Sequence, residues 1–291
     1  MGKIAVTGAN GQLGIQTIQH LLKKGVAATN IVGIVRNMEK ATALTELGIE
    51  VRIGDYDIPA TLEAAFAGTA KLLFISASSM DNTLRVRQHA SVVEAARNAE
   101  VGHIVYTSLS FSEQMKLGLE LVHLATEYMI RTTNIPYTFL RNAFYLDILV
   151  NESLHEVIAN SEIITSVPSG AMNYVTRDNL ALAAAAVLTS EGHTNLTYEL
   201  TSPTPITYNE FAAILSDVSG KSIQHRTVSP DEVFESMVHA GVPAGMAGFI
   251  VHGVFTAIED GQFGYPSEDL IALIGDSYTT VKQAVAETLK A

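Results

Sequence analysis

The stretch Lys3-Ile4-Ala5-Val6-Thr7-Gly8-Ala9-Asn10-Gly11-Gln12-Leu13-Gly14 constrains this chain more than any other. A short apolar run, which reads as a strand, stops at a loop with a glycine at every third position, and an amphipathic helix follows at once. Ile15, Ile18, Leu21 and Leu22 share one face of that helix, Lys23 and Lys24 stand in its last turn, and Gly25 caps it. In the order strand, glycine loop, helix, the glycines permit a tight bend and a close approach of backbone to a diphosphate. The helix N-terminus adds unpaired N–H groups and a partial positive charge. This context predicts a dinucleotide-binding unit, with Thr7, Gly8, Asn10, Gly11, Gln12 and Leu13 as its residues.

The alternation continues through the first half. Apolar runs at 31–35, 51–53, 71–75, 103–108 and 136–142 are separated by helical segments at 39–47, 60–66, 83–98 and 118–132. Six such runs with helices between them predict an α/β fold built on a doubly wound parallel sheet. After residue 145 the rhythm changes. Residues 144–158 read as helical and 166–173 as a loop. An alanine-rich helix over 177–188 precedes a strand over 197–201, and Thr207 caps a helix. A further strand covers 223–228, and the helical pieces from 231 onward break at Pro243, Gly253 and Gly264. The expected division is a nucleotide-binding domain over 1–152, with segments around 175–202 returning to it, and a smaller α-rich substrate lobe over 153–291.

Composition removes several classes of chemistry. The chain of 291 residues has no cysteine, which excludes disulfides, thiolate nucleophiles and thiolate metal sites. The first residues run straight into a strand, leaving no room for a signal peptide, and Val6 breaks the myristoylation pattern. The longest strongly apolar helical run, 180–188, is far shorter than the roughly 20 residues of a bilayer span. A cytoplasmic protein without membrane contact is expected. The formal net charge of −12 disfavours nucleic acid as a partner. None of the nine histidines falls in a zinc-binding spacing, so no metal is expected. Ser219-Gly220-Lys221-Ser222 fails as a P-loop because Leu215 stands where the first glycine is required.

Cofactor choice is read at the end of the second strand. An acid there hydrogen-bonds a ribose 2′-hydroxyl and selects NAD, whereas arginine accommodates a 2′-phosphate. The position is Arg36, with no acid until Glu39, so NADP(H) is the expected cofactor. The other strand ends are polar or small, as a cofactor trench requires. Asp55 either lies near the adenine or forms a turn. Ser76, Ala77 and Ser78 allow the nicotinamide ribose close to the backbone, beside Thr107 and Ser108. Asn142 either fixes the carboxamide or lies behind it. Ser108, Phe144 and Tyr145 are candidates to line the acceptor pocket.

The Tyr-x-x-x-Lys pair that serves short-chain dehydrogenases as acid–base group is missing from the alternating first half; the one match to that spacing, Tyr278-Thr279-Thr280-Val281-Lys282, lies far from the strand ends in sequence. The glycine spacing is similar to that of the extended and atypical branches of that superfamily. The loop at 7–14, Ile34-Val35-Arg36-Asn37, the segment 123–128, and Asn134-Ile135-Pro136-Tyr137-Thr138-Phe139-Leu140-Arg141-Asn142 together resemble the NmrA-like group, on its quinone- and dye-reducing side. The resemblance covers nearly the whole chain, including Val175-Thr176-Arg177 and Ser219-Gly220-Lys221. It implies direct, flavin-free hydride transfer from NADPH to an electrophilic small molecule. Atypical relatives such as the plant isoflavone reductases carry a K-x-x-x-E segment, and here His123-Leu124-Ala125-Thr126-Glu127 puts histidine in the lysine's place. His123 or water is then the expected source of the proton a reduced quinone takes up.

Three functions fit these residues: a reductase of quinones or dyes, a non-catalytic NADP(H)-sensing regulator, and a carbonyl or enone reductase with another proton donor. A homodimer is compatible with each.

Overall fold

The structure, a computed structural model, describes residues 2–290. Its centre is a seven-stranded sheet in which every neighbouring pair is parallel. The strands are β1 (Lys3–Thr7), β2 (Ile31–Val35), β3 (Glu50–Ile53), β4 (Thr69–Phe74), β5 (His103–Leu109), β6 (Tyr137–Asn142) and an edge strand, Leu196–Leu200. The order across the sheet is edge strand, β6, β5, β4, β1, β2, β3. The chain runs outward from β1 to β3 and then crosses back to β4 on the other side of β1. The switch of direction opens a crevice at the carboxyl ends of β1 and β4, where open α/β sheets bind ligands.

Helices cover both faces, as near-continuous apolar strands require. The described helices beside the sheet are α1 (Gln12–Lys23), α2 (Thr42–Glu46), α3 (Leu62–Phe66), α4 (Asn82–Asn98) and α5 (Leu119–Thr132). After α6 (Leu154–Asn160) comes α7 (Arg177–Thr189). One core packs α1 and α7 on the sheet through Ile18, Leu21, Leu180 and Leu188. The alanines of α7 (Ala181, Ala183, Ala184, Ala185) let it lie close to its neighbours, since methyl groups occupy little space between backbones. A second core packs α3 and α4 against the opposite face through Phe66, Phe74, Val92 and Tyr106. A third, built on Leu154, Tyr208, Phe211, Val254 and Phe255, belongs to the smaller lobe.

Several local expectations change. Residues 144–158 read as helical, but Phe144–Tyr145 is a strand paired in parallel with Tyr174–Val175. A 3₁₀ turn, Leu146–Ile148, and later α6 complete that segment. Phe144 packs into the smaller lobe's core and Tyr145 against the α1–α7 core, which is the two-sided alternation of a strand. The expected loop at 166–173 contains a two-residue strand, Ala171–Met172, paired with Ile206–Thr207. Glu162–Thr165, unanticipated, pairs with Gln224–Thr227. Gly253 does not break a helix. It lies within the π-helical Phe249–Phe255 that joins Ala244–Gly248 to Thr256–Glu259. Thr207 caps its helix as expected, with Glu210 closing a reciprocal capping box.

Candidate functional site

The glycine loop is built for a ligand that approaches the backbone. Gly8 has φ +58°, a left-handed conformation that glycine adopts without strain. Its carbonyl accepts from the Gly11 N–H at 2.9 Å, closing the bend. Ala9 N–H donates to the Ile34 carbonyl at 3.1 Å, which ties the loop to β2. At Gly14 a Cβ would stand 2.4 Å from the Gly8 oxygen and 2.8 Å from the Ala9 Cα, so α1 can pack this tightly on the loop only with glycine there. Gly11 caps α1 without a side-chain bond, leaving the first N–H groups of the helix to an outside acceptor. Asn10, Gly11 and Gln12 are exposed, and Leu13 is buried. Thr7 is fully buried, and its hydroxyl holds the floor together. It accepts from Ile75 N–H at 2.9 Å, lies 2.6 Å from the Tyr56 hydroxyl and donates to the Leu73 carbonyl at 3.2 Å.

Arg36 stands immediately past β2, exposed, and forms no hydrogen bond or ion pair among the described residues. Its neighbour Asn37 accepts from Glu39 N–H, so the segment turns away and leaves the guanidinium at the strand end. Asp55 forms a turn: its carboxylate accepts from Asp57 N–H at 3.0 Å while its own N–H donates to Thr61 Oγ1 at 2.9 Å.

On the other side of the switch point, Ser76 N–H donates to Thr107 Oγ1 at 3.0 Å and Ala77 N–H to His89 Nε2 at 2.9 Å. Ser78 beyond them is exposed. Asn142, at the end of β6, is buried, and its Oδ1 has no hydrogen-bond partner among the described residues. A buried amide oxygen without a donor costs free energy, so this atom is suited to a ligand's N–H. Ser108 donates to Glu127 Oε1 at 2.7 Å, so its hydroxyl is engaged. Tyr145 is half-buried beneath the Arg177 guanidinium, 4.3 Å from its ring centroid, and Phe144 packs 4.7 Å from Phe263.

His123 lies inside the protein, between α5 and β5. Its Nδ1 is 2.9 Å from the Tyr106 hydroxyl and its Nε2 is 3.4 Å from Arg85 Nη2. Guanidinium only donates, so Nε2 is the acceptor and the ring proton sits on Nδ1. Burial, reinforced by the Arg85 charge, holds its pKa well below the ordinary range for histidine, and the ring is neutral. The sequence reading missed three features around it. Arg85 and Gln88 are buried polar residues on α4, and His89 is fully buried one turn along. Tyr56 spans the floor, bonding Thr7 and the Ile75 carbonyl. Arg141 gathers three glutamates, bonding Glu127 at 2.8 Å, Glu113 at 2.7 Å and Glu199 at 2.9 Å. Hydrophobic periodicity marks none of these. The signal available was polar residues at positions 85, 88 and 89, the i, i+3, i+4 spacing of one helix face.

The sheet thus brings the glycine loop, Arg36, Asp55, Ser76, Ala77, Ser78, Thr107, Ser108 and Asn142 to one end, at the carboxyl termini of the strands. The groove of about 710 Å³ between α3 and α4 is separate, lined by small and acidic residues such as Ala64, Ala95, Glu63 and Glu94. Among the described residues no group of three His, Asp or Glu side chains is arranged to hold a metal ion, and no helix is long and apolar enough to cross a membrane.

A doubly wound parallel sheet with a glycine cradle at its switch point defines a Rossmann-type nucleotide-binding protein. The chain belongs to the NmrA-like family, whose model matches residues 1–287. It is 37% identical to quinone oxidoreductase 2 of Escherichia coli (strain K12) over 283 residues, 97% of each chain. The structure of Citrobacter sp. triphenylmethane reductase complexed with NADP(H) is similar at TM-score 0.95 and 53% identity, covering 98% of this chain and 99% of that one. The NADPH complex of an E. coli NADPH-dependent quinone oxidoreductase gives TM-score 0.91 at 36% identity, covering 98% and 99%.

Proposed function

We propose that this chain is an NADPH-dependent oxidoreductase that reduces an electrophilic small molecule, a quinone or a triarylmethane dye, by direct hydride transfer. Arg36 carries the reading: a free guanidinium at the end of β2, beside a glycine cradle, suits a 2′-phosphate and has no partner among the described residues. The two relatives whose structures hold NADP(H) or NADPH, one a dye reductase and one a quinone reductase, support the same class.

When bound, NADPH supplies a hydride from its dihydronicotinamide ring. The protein's part is to bind and orient. The loop of Gly8, Asn10, Gly11, Gln12 and Leu13 would cradle the diphosphate, with the uncommitted N–H groups at the start of α1 facing it while Gly11 N–H closes the bend on Gly8, and Arg36 would hold the adenosine phosphate. Asn142 offers its unmet Oδ1 to the carboxamide. Thr7 and Thr107 act through the backbone, fixing Ile75 and Ser76 under the nicotinamide side. Phe144 and Tyr145 flank the acceptor at the junction of the sheet with the smaller lobe. The nucleotide-binding unit is 1–152 with the returning segments around 175–202, α7 and the edge strand among them, and the rest of 153–291 forms the acceptor lobe. Hydride reaches a quinone without prior proton abstraction, so no Tyr-x-x-x-Lys pair is needed. His123, buried and neutral with both nitrogens engaged, is not the proton source; water at the open end of the trench supplies the proton.

In this reading the protein works in the cytoplasm and without nucleic acid, in keeping with its net charge of −12. Every residue invoked comes from one chain, so monomer and homodimer serve equally.

The test is NADPH consumption by flavin-free protein with 1,4-naphthoquinone and with crystal violet. NADPH absorbance falling in proportion to acceptor reduced is expected. NADPH binding with no consumption by either acceptor would contradict the proposal and leave a nucleotide sensor.

A further inference from the structure

Arg85 is an unusual charge for this place. It sits in the first turn of α4, which follows the loop at 76–79, and is only 7% exposed. No carboxylate meets it among the described residues. Among the described residues the guanidinium's one hydrogen-bond contact is the long 3.4 Å approach of Nη2 to His123, a neutral ring, and its Nε has no partner. The acids nearby in the fold are committed elsewhere. Asp57 accepts from Gln88 at 2.8 Å, one turn along α4. Glu127, one turn along α5 from His123, is taken by Arg141 and Ser108. Asp147 receives Arg177 N–H at 2.9 Å. After burial, the Arg85 charge is what lowers the pKa of His123 and His89, and its field also reaches Tyr106 and, past the end of β6, Tyr145.

A buried cation without a counterion is expensive, and a protein keeps one where a ligand completes it. Two further orphaned atoms belong to the same region, Gln88 Oε1 one turn along and Asn142 Oδ1 beside Tyr145. The cation therefore stands among groups that await a ligand.

We propose that Arg85 selects the acceptor by charge: it presents an uncompensated guanidinium to the acceptor side of the trench, favouring quinones and anionic aromatics over cationic dyes. This rests on the reductase reading above. Hydride addition to a neutral quinone gives a hydroquinone monoanion, with the electron pair delivered to the ring oxygen system, and solvent then supplies one proton to complete the hydroquinone. Hydride addition to a triarylmethane cation gives a neutral product, so charge is lost from the pocket. A fixed positive charge stabilises the developing anion in the first reaction and opposes entry of the cation in the second. His123 acts here as a positioning residue, with its ring proton fixed on Nδ1 by Tyr106 so that Nε2 receives Arg85.

The experiment compares wild type with Arg85→Leu, Arg85→Gln and Arg85→Lys. Two readouts are taken: binding of naphthalene-2-sulfonate in the presence of NADP⁺, followed by its fluorescence, and the ratio of kcat/KM for 1,4-naphthoquinone to that for crystal violet. Loss of the charge is expected to weaken sulfonate binding about 10- to 100-fold and to lower the quinone-to-dye ratio by a similar factor, with Lys staying near wild type. NADPH affinity is expected to change less than about threefold. Equal sulfonate binding by wild type and the folded neutral variants overturns the proposal, as does an unchanged ratio. A loss confined to NADPH affinity would assign Arg85 to the cofactor and overturn it too. The Gln variant decides if the Leu variant fails to fold. Should wild type reduce neither acceptor, the reductase reading falls while sulfonate binding still decides whether Arg85 is an anion site.

Discussion

Arg36 and Gly14 differ in what makes them legible. A glycine that must hold a left-handed bend, or admit the Gly8 oxygen to 2.4 Å from where its own Cβ would stand, leaves its mark in the sequence because no other residue fits. Arg36 was legible because the strand end before it fixes its position. Arg85 and Arg141 were not. Arg85 belongs to a helix face whose buried members are polar, and the partners of Arg141 come from a loop, from α5 and from the edge strand. No local pattern announces a contact between residues 58 positions apart. At this scale the sharpest expectation concerns Arg36→Ala. A charge-assisted pair with a phosphate contributes about 1.5–3 kcal/mol, so NADPH affinity should fall roughly 10- to 100-fold. NADH affinity should change little, and fluorescence titration with both nucleotides measures the difference. Equal losses would remove Arg36 from phosphate recognition.

Among the elements, α4 does most to connect stability with the site. His89 lies on it, fully buried, with Nε2 accepting from Ala77 N–H and Nδ1 facing Thr126 Oγ1 at 2.7 Å. Phe74 and Tyr106 pack on its ring, and Arg85 is the nearby charge. Because Ala77 donates to Nε2, protonation would set two N–H groups against each other and loosen the loop past β4. Burial, then the Arg85 charge, lowers its pKa from 6.5 to about 3. The unfolded chain therefore binds the proton first. The stability His89 contributes is complete above pH 6.5 and is lost as pH falls from there toward 3. Between pH 6.5 and 5 the loss amounts to about 2 kcal/mol. A His89→Gln variant can keep both hydrogen bonds without titrating, so its Tm should fall less steeply over that interval than wild type's. Parallel curves would show that His89 does not titrate on unfolding. The helices and strands of the first half were readable because periods of 3.6 and 2 repeat over whole elements. Phe144–Tyr145 was not, because two residues are too few for a period and their strand partner lies some thirty positions away, at Tyr174–Val175.

For the whole molecule, sheet order determines where the chemistry can lie. The reversal between β1 and β4 gathers residues from six stretches of chain at one end, and the alternation of apolar runs made that gathering foreseeable. The smaller lobe was harder to foresee, since its core joins segments from Leu109 to Val285 that share no regular pattern. The central claim is that backbone N–H groups at the first bend and the free guanidinium past β2 together hold NADPH. Calorimetric titration of the full chain with NADPH and NADH tests it most directly. The expected result is one NADPH per chain, with NADH bound at least about tenfold more weakly; no heat from either nucleotide, or equal affinity for both, would contradict it.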